Sequence, residues 1–95
     1  MVQNRAVTLR LYPPYSLIVG KSELAVELSG PIPAEEFFAR LCREYPKLGE
    51  MLFPSGSRCS FPGTTAVLRG GLSLKVGDLV CPGDVLEVLI ALSGG

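Results

Sequence analysis

One segment of this chain, Pro33–Tyr45, has the apolar periodicity of a helix, and it lies among several segments that alternate like strands. Its apolar stripe is Phe37, Phe38, Leu41, Cys42 and Tyr45. Pro33 suits the first helical position, and Pro46 disfavours helical geometry at the residue before it. The 95 residues are enough for one domain. Because one main helix covers only one face of a sheet, the pattern predicts a two-layer α+β domain.

Two amphipathic strands are predicted before the helix. Val7–Tyr12 places Val7, Leu9 and Leu11 on one face, and Ser22–Leu28 places Leu24, Val26 and Leu28 on one face. Pro13-Pro14 ends the first strand. The two strands therefore predict a wide hairpin, with Tyr15–Lys21 as its loop.

A short turn near Lys47–Leu52 is predicted directly after the helix, and three further strands are predicted after that turn. Phe53–Thr64 is rich in Gly, Pro and Ser and indicates a loop. The predicted strands are Thr65–Arg69, a short return strand Leu72–Leu74 after a Gly70-Gly71 turn, and Val85–Ala91 after a Pro82-Gly83 turn. This order with a single main helix predicts a β-grasp (ubiquitin-like) fold, in which a mixed sheet of four to five strands packs on one main helix.

The last strand has apolar side chains on both faces. Glu87 marks the solvent face, so the core face is predicted to hold Leu86, Val88, Ile90 and Leu92. Val85, Leu89 and Ala91 then share the face of Glu87. Such residues are either ordinary surface scatter or a contact patch for another protein.

Composition excludes several classes of function. The chain has nine basic and nine acidic side chains, a balance that argues against sequence-independent nucleic-acid binding. It has no histidine, which removes Ser-His-Asp and Cys-His catalysis and histidine-containing zinc or haem sites. The cysteines, Cys42, Cys59 and Cys81, form no C-x-x-C pair. No metal site is predicted, and a stand-alone enzyme is disfavoured.

Charged residues interrupt every apolar stretch, so no segment approaches the roughly 20 residues of a membrane-spanning helix. Residues 1–5 do not resemble the start of a signal peptide. These observations predict a cytoplasmic protein with no membrane partner.

The chain ends in Leu92-Ser93-Gly94-Gly95, directly after the predicted last strand. A terminal Gly-Gly alone is compatible with a frayed end. After the last strand of a β-grasp domain it is more informative, because glycine has no Cβ and can enter a narrow tunnel. Residues 92–95 are predicted to form a flexible tail that reaches about 13–14 Å when extended.

These features together resemble the ubiquitin-like sulfur-carrier family, which includes the small subunit of molybdopterin synthase and the thiazole-forming sulfur carrier. The resemblance covers nearly the whole chain. It is carried by Glu44-Tyr45-Pro46-Lys47-Leu48, by Gly83-Asp84-Val85-Leu86-Glu87-Val88 and by Gly94-Gly95. Two positions depart from it: Ile90-Ala91 stands where the molybdopterin type commonly has Pro-Pro, and Arg69 replaces the hairpin Asn. These departures leave the pathway open.

The resemblance implies that the working group is the C-terminal carboxylate of Gly95, with Gly94 beside it. An E1-like enzyme would adenylate this carboxylate with ATP, and a sulfur donor would convert it to a thiocarboxylate for cofactor biosynthesis. The chain itself would bind no cofactor. A molybdopterin-type carrier would also pair with a larger synthase subunit. The implied partner-binding residues are Val85, Glu87, Leu89, Ala91, Leu92 and Ser93.

Three alternatives remain open from sequence. The chain could serve thiamin synthesis or another sulfur-transfer pathway. It could be a ubiquitin-like protein modifier, whose tail forms an isopeptide bond with lysine. It could also be a non-catalytic β-grasp interaction module with an incidental Gly-Gly.

Overall fold

The computed structural model describes residues 5–53 and 65–91 and contains a mixed five-stranded sheet. The strand order is β2-β1-β7-β4-β5, and a separate two-stranded sheet pairs β3 with β6. The strands are β1 (Ala6–Leu11), β2 (Glu23–Glu27), β3 (Ile32–Pro33), β4 (Thr65–Arg69), β5 (Leu72–Ser73), β6 (Leu79–Val80) and β7 (Val85–Ile90). The helices are α1 (Tyr15–Val19), α2 (Ala34–Glu44) and α3 (Pro46–Leu52). The predicted β-grasp architecture is confirmed, with five strands in the main sheet.

The first and last strands lie side by side and parallel at the centre of the sheet. Leu9 of β1 stands opposite Leu86 of β7 and, on the other side, opposite Leu24 of β2. β7 also pairs antiparallel with β4, where Val88 faces Val67. These five side chains are buried. The alternation in the sequence therefore predicts the core face of the sheet correctly.

Helix α2 packs its apolar stripe on this face. Phe37, Phe38 and Leu41 are buried, and the two phenylalanine rings meet edge to face at 5.2 Å. Cys42 and Tyr45 are half-buried against the same core. The helix begins one residue after the predicted start and ends at Glu44, directly before Tyr45 and Pro46.

The loop before β6 satisfies the first amides of α2, which has no side-chain N-cap. The amide of Ala34 donates to the carbonyl of Asp78 at 2.7 Å, and the amide of Glu35 donates to the carbonyl of Val76 at 2.9 Å. Helix amides at this position have no partner within the helix. These bonds therefore join the helix to the segment that leads into β6 and β7.

The predicted loop Tyr15–Lys21 is wrong, because Tyr15–Val19 forms the short helix α1. The segment is a brief apolar run between Pro14 and Gly20, too short to show helical periodicity. Its fold depends on tertiary contact: Tyr15 is buried, and Gly20 closes the helix with a φ of 85°. The predicted turn near Lys47–Leu52 is likewise a helix, α3.

The sequence pattern does not predict the two-stranded sheet. β3 and β6 have two residues each, and Ile32 pairs with Val80 across 48 residues of sequence. Strands this short carry no alternation to detect. Ile90 shares the face of Leu86 and Val88, as the alternation predicts, but it is 38% exposed and does not join the core, because it is the last residue of β7.

Candidate functional site: the outer face of the sheet around the last strand

Three of the predicted partner-binding residues lie on one face of β7, opposite the core. Val85 is 43% exposed, and Glu87 and Leu89 are half-buried. Ala91 follows the strand and is half-buried. Leu92, Ser93, Gly94 and Gly95 lie outside the described residues, so their predicted roles stay predictions.

Neighbouring strands extend this face on both sides of β7. Val85 stands opposite Thr8 of β1, and Leu89 stands opposite Ala66 of β4. Leu68 lies opposite Glu87 on the side of β4. The result is an apolar surface with one carboxylate at its centre, and we call it the β7 face. It consists of Ala66, Leu68, Val85, Glu87 and Leu89.

Tyr12, the residue that follows β1, holds Glu87 in place. The hydroxyl of Tyr12 donates a hydrogen bond to Oε2 of Glu87 at 2.8 Å. Arg10 is opposite Glu87 in the ladder, and its Nε lies 3.8 Å from Oε2 of Glu23 on β2. Charged groups of three strands thus form a row across the β7 face and its border.

The pKa of Tyr12 is raised above its ordinary value. The main cause is the hydrogen bond to Glu87, and the negative charge of that carboxylate adds to it. Ionising the phenol would remove the donated proton and place two negative charges together. Tyr12 therefore remains a hydrogen-bond donor at neutral pH.

A compact turn fixes the start of β7. Oδ2 of Asp84 accepts from Nη1 of Arg69 at 3.0 Å and from the amide of Cys81 at 2.9 Å. Arg69 also donates to the carbonyl of Leu79. Gly83 has a φ of 91°, and the amide of Asp84 donates to the carbonyl of Cys81, as the Pro-Gly turn predicts. Arg69 thus ties the end of β4 to the turn that begins β7.

The far end of β7 lies beside a buried polar contact. Ile90 pairs with Thr65, and the hydroxyls of Thr65 and Tyr15 are 2.6 Å apart. Both residues are buried. This contact joins α1 to the first residue of β4, beside the last residue of β7.

Sequence reasoning did not identify Ala66 and Leu68 as parts of the β7 face, or Arg10 and Tyr12 as residues at its border. Alternation placed Arg10 and Tyr12 on the solvent face of β1, which was the available signal. Their contact with Glu87 depends on the parallel pairing of β1 with β7, and Tyr12 and Glu87 are 75 residues apart. Within residues 5–53 and 65–91, no cluster of three His, Cys, Asp or Glu could hold a metal ion. No helix in those ranges has the length and hydrophobicity needed to cross a membrane.

Comparison with known proteins gives similarity of structure only. No family profile matches the sequence, and no curated protein matches it. SAMP1 from Haloferax volcanii matches with a TM-score of 0.79 and 22% identity over 95% of this chain and 99% of its own. Urm1 from Trypanosoma brucei matches with a TM-score of 0.77 and 17% identity over the full length of both chains.

A third structure, a putative molybdopterin converting factor subunit 1 from Pyrococcus furiosus, matches with a TM-score of 0.74 and 15% identity. The match covers 92% of this chain and 98% of that one. SAMP1, Urm1 and a putative converting-factor subunit thus share one architecture with this chain. The chain has the β-grasp fold of ubiquitin-like carrier and modifier proteins.

Proposed function

We propose that this protein is a sulfur carrier whose reactive group is the C-terminal carboxylate of Gly95. The observation that supports the proposal most is the position of β7. This strand is paired on both sides, has an apolar outer face and is followed in the sequence by Ala91-Leu92-Ser93 and then Gly94-Gly95. The structural neighbours include proteins named as small archaeal modifiers and one named as a putative molybdopterin converting factor subunit.

The proposed chemistry takes place on the tail. An E1-like enzyme binds ATP, and an oxygen of the Gly95 carboxylate attacks the α-phosphorus, so that pyrophosphate leaves. A sulfur donor then displaces AMP from the acyl carbon and leaves a thiocarboxylate. A free α-carboxylate has a pKa of about 3.3–3.7, so it is anionic at neutral pH and needs this activation.

In this proposal the chain positions its C-terminal tail and supplies no catalytic side chain. Its sheet holds β7 rigid on both sides, so the tail starts from a fixed point. Glycines at 94 and 95 have no side chain to obstruct a narrow active site. The β7 face is proposed to bind the activating enzyme. Val85 and Leu89 would lie in the part of the interface that excludes water, and the charge of Glu87 would orient the two proteins.

The proposed pathway is molybdopterin synthesis in the cytoplasm, in which the tail would enter the pocket of a larger synthase subunit. The helix ending at Glu44-Tyr45-Pro46 and the Pyrococcus neighbour support this choice. Thiamin synthesis or another sulfur-transfer pathway is the alternative carrier role. Neither nucleic acid nor membrane is a proposed partner.

A second candidate function is covalent modification of other proteins. It is favoured by the neighbours from Haloferax volcanii and Methanosarcina acetivorans, which are named small archaeal modifier proteins. The modifier would use the same activated tail but transfer it to a lysine amine, with an isopeptide bond as product.

Mass spectrometry of the protein isolated from its native host distinguishes the two functions. A carrier is expected to show a fraction of intact chains ending at Gly95 and heavier by the difference between sulfur and oxygen. A modifier is expected to leave Gly-Gly remnants on lysines of other proteins. A chain that ends beyond Gly95, or shows neither product, would contradict both.

A further inference from the structure

The outer face of the main sheet is acidic, although the chain as a whole has equal numbers of basic and acidic side chains. Arg10 stands between Glu23 and Glu87 in the ladders, and Glu27 lies on the same face at the edge of β2. Along the described strands of this sheet, the outer face therefore carries three carboxylates and one guanidinium. A protein that covers this face is expected to present a basic surface.

Glu87 is the carboxylate that a partner on the β7 face would bury. It is half-buried in the free chain. Leu68 stands opposite it on β4, and Val85 and Leu89 flank it on the same face of β7. Covering an unpaired carboxylate with apolar surface removes its water and gives nothing in return, which is costly. The surface that covers Glu87 must therefore supply a cation.

The free chain does not pair Glu87 with a cation of its own. Arg10 is directly opposite Glu87, but its guanidinium turns to the other side, with Nε 3.8 Å from Oε2 of Glu23. Among the described residues, no basic group lies within ion-pair distance of the Glu87 carboxylate. The row Glu23–Arg10–Glu87 therefore keeps an excess of one negative charge.

The geometry around Glu87 suits a guanidinium group. Oε2 accepts the hydrogen bond from Tyr12 at 2.8 Å, and Oε1 has no hydrogen-bond partner among the described residues. Tyr12 is 41% exposed beside it. A guanidinium is a planar fork that matches a carboxylate and stacks on aromatic rings, whereas an ammonium group is a strongly hydrated point charge. The fixed carboxylate and the exposed ring thus favour arginine over lysine.

We propose that the activating enzyme places an arginine on Glu87, at the centre of its contact with the β7 face. The inference rests on the proposed function, because the partner is the enzyme that activates the tail. The guanidinium donates to Oε1, and the apolar side chains around Glu87 exclude water from the pair. Since Tyr12 holds the carboxylate in one position, the pair fixes how the enzyme sits on the sheet and rejects a partner with an acidic group there.

Arg10 is the rival source of a cation. If it turned from Glu23 to Glu87 when the enzyme binds, the chain would neutralise its own carboxylate and need no arginine from the partner. Arg10→Gln distinguishes the two sources. A partner arginine predicts that this variant changes the KM for the chain by less than about threefold, the effect of one exposed charge. Compensation by Arg10 predicts a loss as large as that of Glu87→Gln.

The test is ATP–pyrophosphate exchange by the cognate E1-like enzyme, with the concentration of the chain varied to give KM and kcat. Glu87→Gln is expected to raise KM about tenfold or more at unchanged kcat, because the buried arginine loses its anion while the tail is intact. Glu87→Lys should raise KM further, since two cations then meet. Glu27→Gln, the same change on the same face but outside the β7 face, is the matched control and should alter KM less than about twofold. Thermal unfolding checks that each variant is folded.

Double-mutant cycles identify the arginine. At one surface arginine of the enzyme, substitution by alanine is expected to raise the KM of the wild-type chain about tenfold. The same enzyme variant should change the KM of Glu87→Gln by less than about twofold, because the pair is already broken. Additive effects at every surface arginine would overturn the proposal.

The failure of this inference differs from the failure of the proposed function. Exchange with the wild-type chain together with an unchanged KM in Glu87→Gln would overturn the arginine contact alone. An equal loss in Arg10→Gln and Glu87→Gln would assign the compensating charge to Arg10 and overturn it too. Absence of exchange with the wild-type chain would contradict the proposed function, and this inference with it.

Discussion

The hydroxyl of Tyr12 donates a 2.8 Å hydrogen bond to Glu87, which joins the residue after the first strand to the middle of the last one. This bond positions the only carboxylate of the β7 face. It also raises the pKa of Tyr12, because an ionised phenol would lose the bond and face the negative charge of Glu87.

The first prediction concerns alkaline stability. Since the pKa of Tyr12 is higher in the folded than in the unfolded chain, the bond stabilises the fold fully below the unfolded value of about 10. Its contribution is lost as the pH rises through the folded pKa. In urea unfolding, the free energy of unfolding of the wild type should therefore exceed that of Tyr12→Phe by a constant amount around neutral pH. This difference should shrink above about pH 10.

The control for this prediction is Glu87→Gln, followed by absorbance of the tyrosinate. The substitution removes the charge but keeps a hydrogen-bond acceptor, so the pKa of Tyr12 should fall towards its ordinary value. An unchanged titration in Glu87→Gln would show that the negative charge of Glu87 does not contribute to the raised pKa of Tyr12, and an unchanged titration in Glu87→Ala, which also lacks the acceptor, would show that Glu87 is not the cause.

The second prediction concerns the turn before β7. Asp84→Ala removes acceptors from Arg69 and from the amide of Cys81, and we expect it to lower the free energy of unfolding by about 1–3 kcal/mol. Asp84→Asn keeps one oxygen acceptor and should lose less. Urea unfolding measures both. Glu27→Gln, at an exposed carboxylate without an ion pair to a described residue, should change stability by less than about 0.5 kcal/mol.

The third prediction concerns the contact between α2 and α3. A Cβ at Gly49 would lie 2.9 Å from Cβ of Cys42 and 3.2 Å from its Sγ. Gly→Ala within a helix ordinarily stabilises by about 0.8–1 kcal/mol. Here we expect Gly49→Ala to destabilise by about 1–3 kcal/mol, because the helices must move apart. Gly77→Ala, where nothing lies within 4 Å, is the control. A more stable Gly49→Ala would contradict the packing.

The fourth prediction concerns the β7 face as a partner contact. Val85→Lys places a charge on its apolar part, and we expect affinity for the activating enzyme to fall about tenfold or more, as at a buried contact. Thermal unfolding should change little, because Val85 is 43% exposed. Leu72→Lys, at a 76% exposed side chain of the β4–β5 hairpin, should leave binding unchanged. Equal loss in both variants would place the contact elsewhere.

Much of the sheet could be predicted from local pattern. Alternation in β1, β2 and β7 predicts which side chains are buried, and Gly70 and Gly71 adopt the positive φ values of a tight hairpin. Both signals depend on neighbouring residues alone. The same is true of α2: its apolar stripe identifies the helix, and a proline at each end marks its limits.

The missed features depend on contacts between distant residues. α1 is held by the burial of Tyr15 and its contact with Thr65, 50 residues away. β3 and β6 are too short for any periodicity. The sequence predicts Val85, Glu87 and Leu89 of the β7 face. It does not predict the neighbouring residues of β1 and β4, because their position depends on which strands pair with β7. Leu92–Gly95 lie outside the described residues, so their roles rest on the resemblance.

The most direct test of the carrier proposal is ATP–pyrophosphate exchange by the cognate E1-like enzyme with the full chain and with a Gly95 deletion. The full chain should support exchange. The deletion should abolish it while circular dichroism and thermal unfolding stay unchanged, because β7 ends at Ile90. Gly94→Val should also reduce exchange strongly, since its branched Cβ obstructs entry of the tail. Normal exchange by the deletion variant would contradict the account.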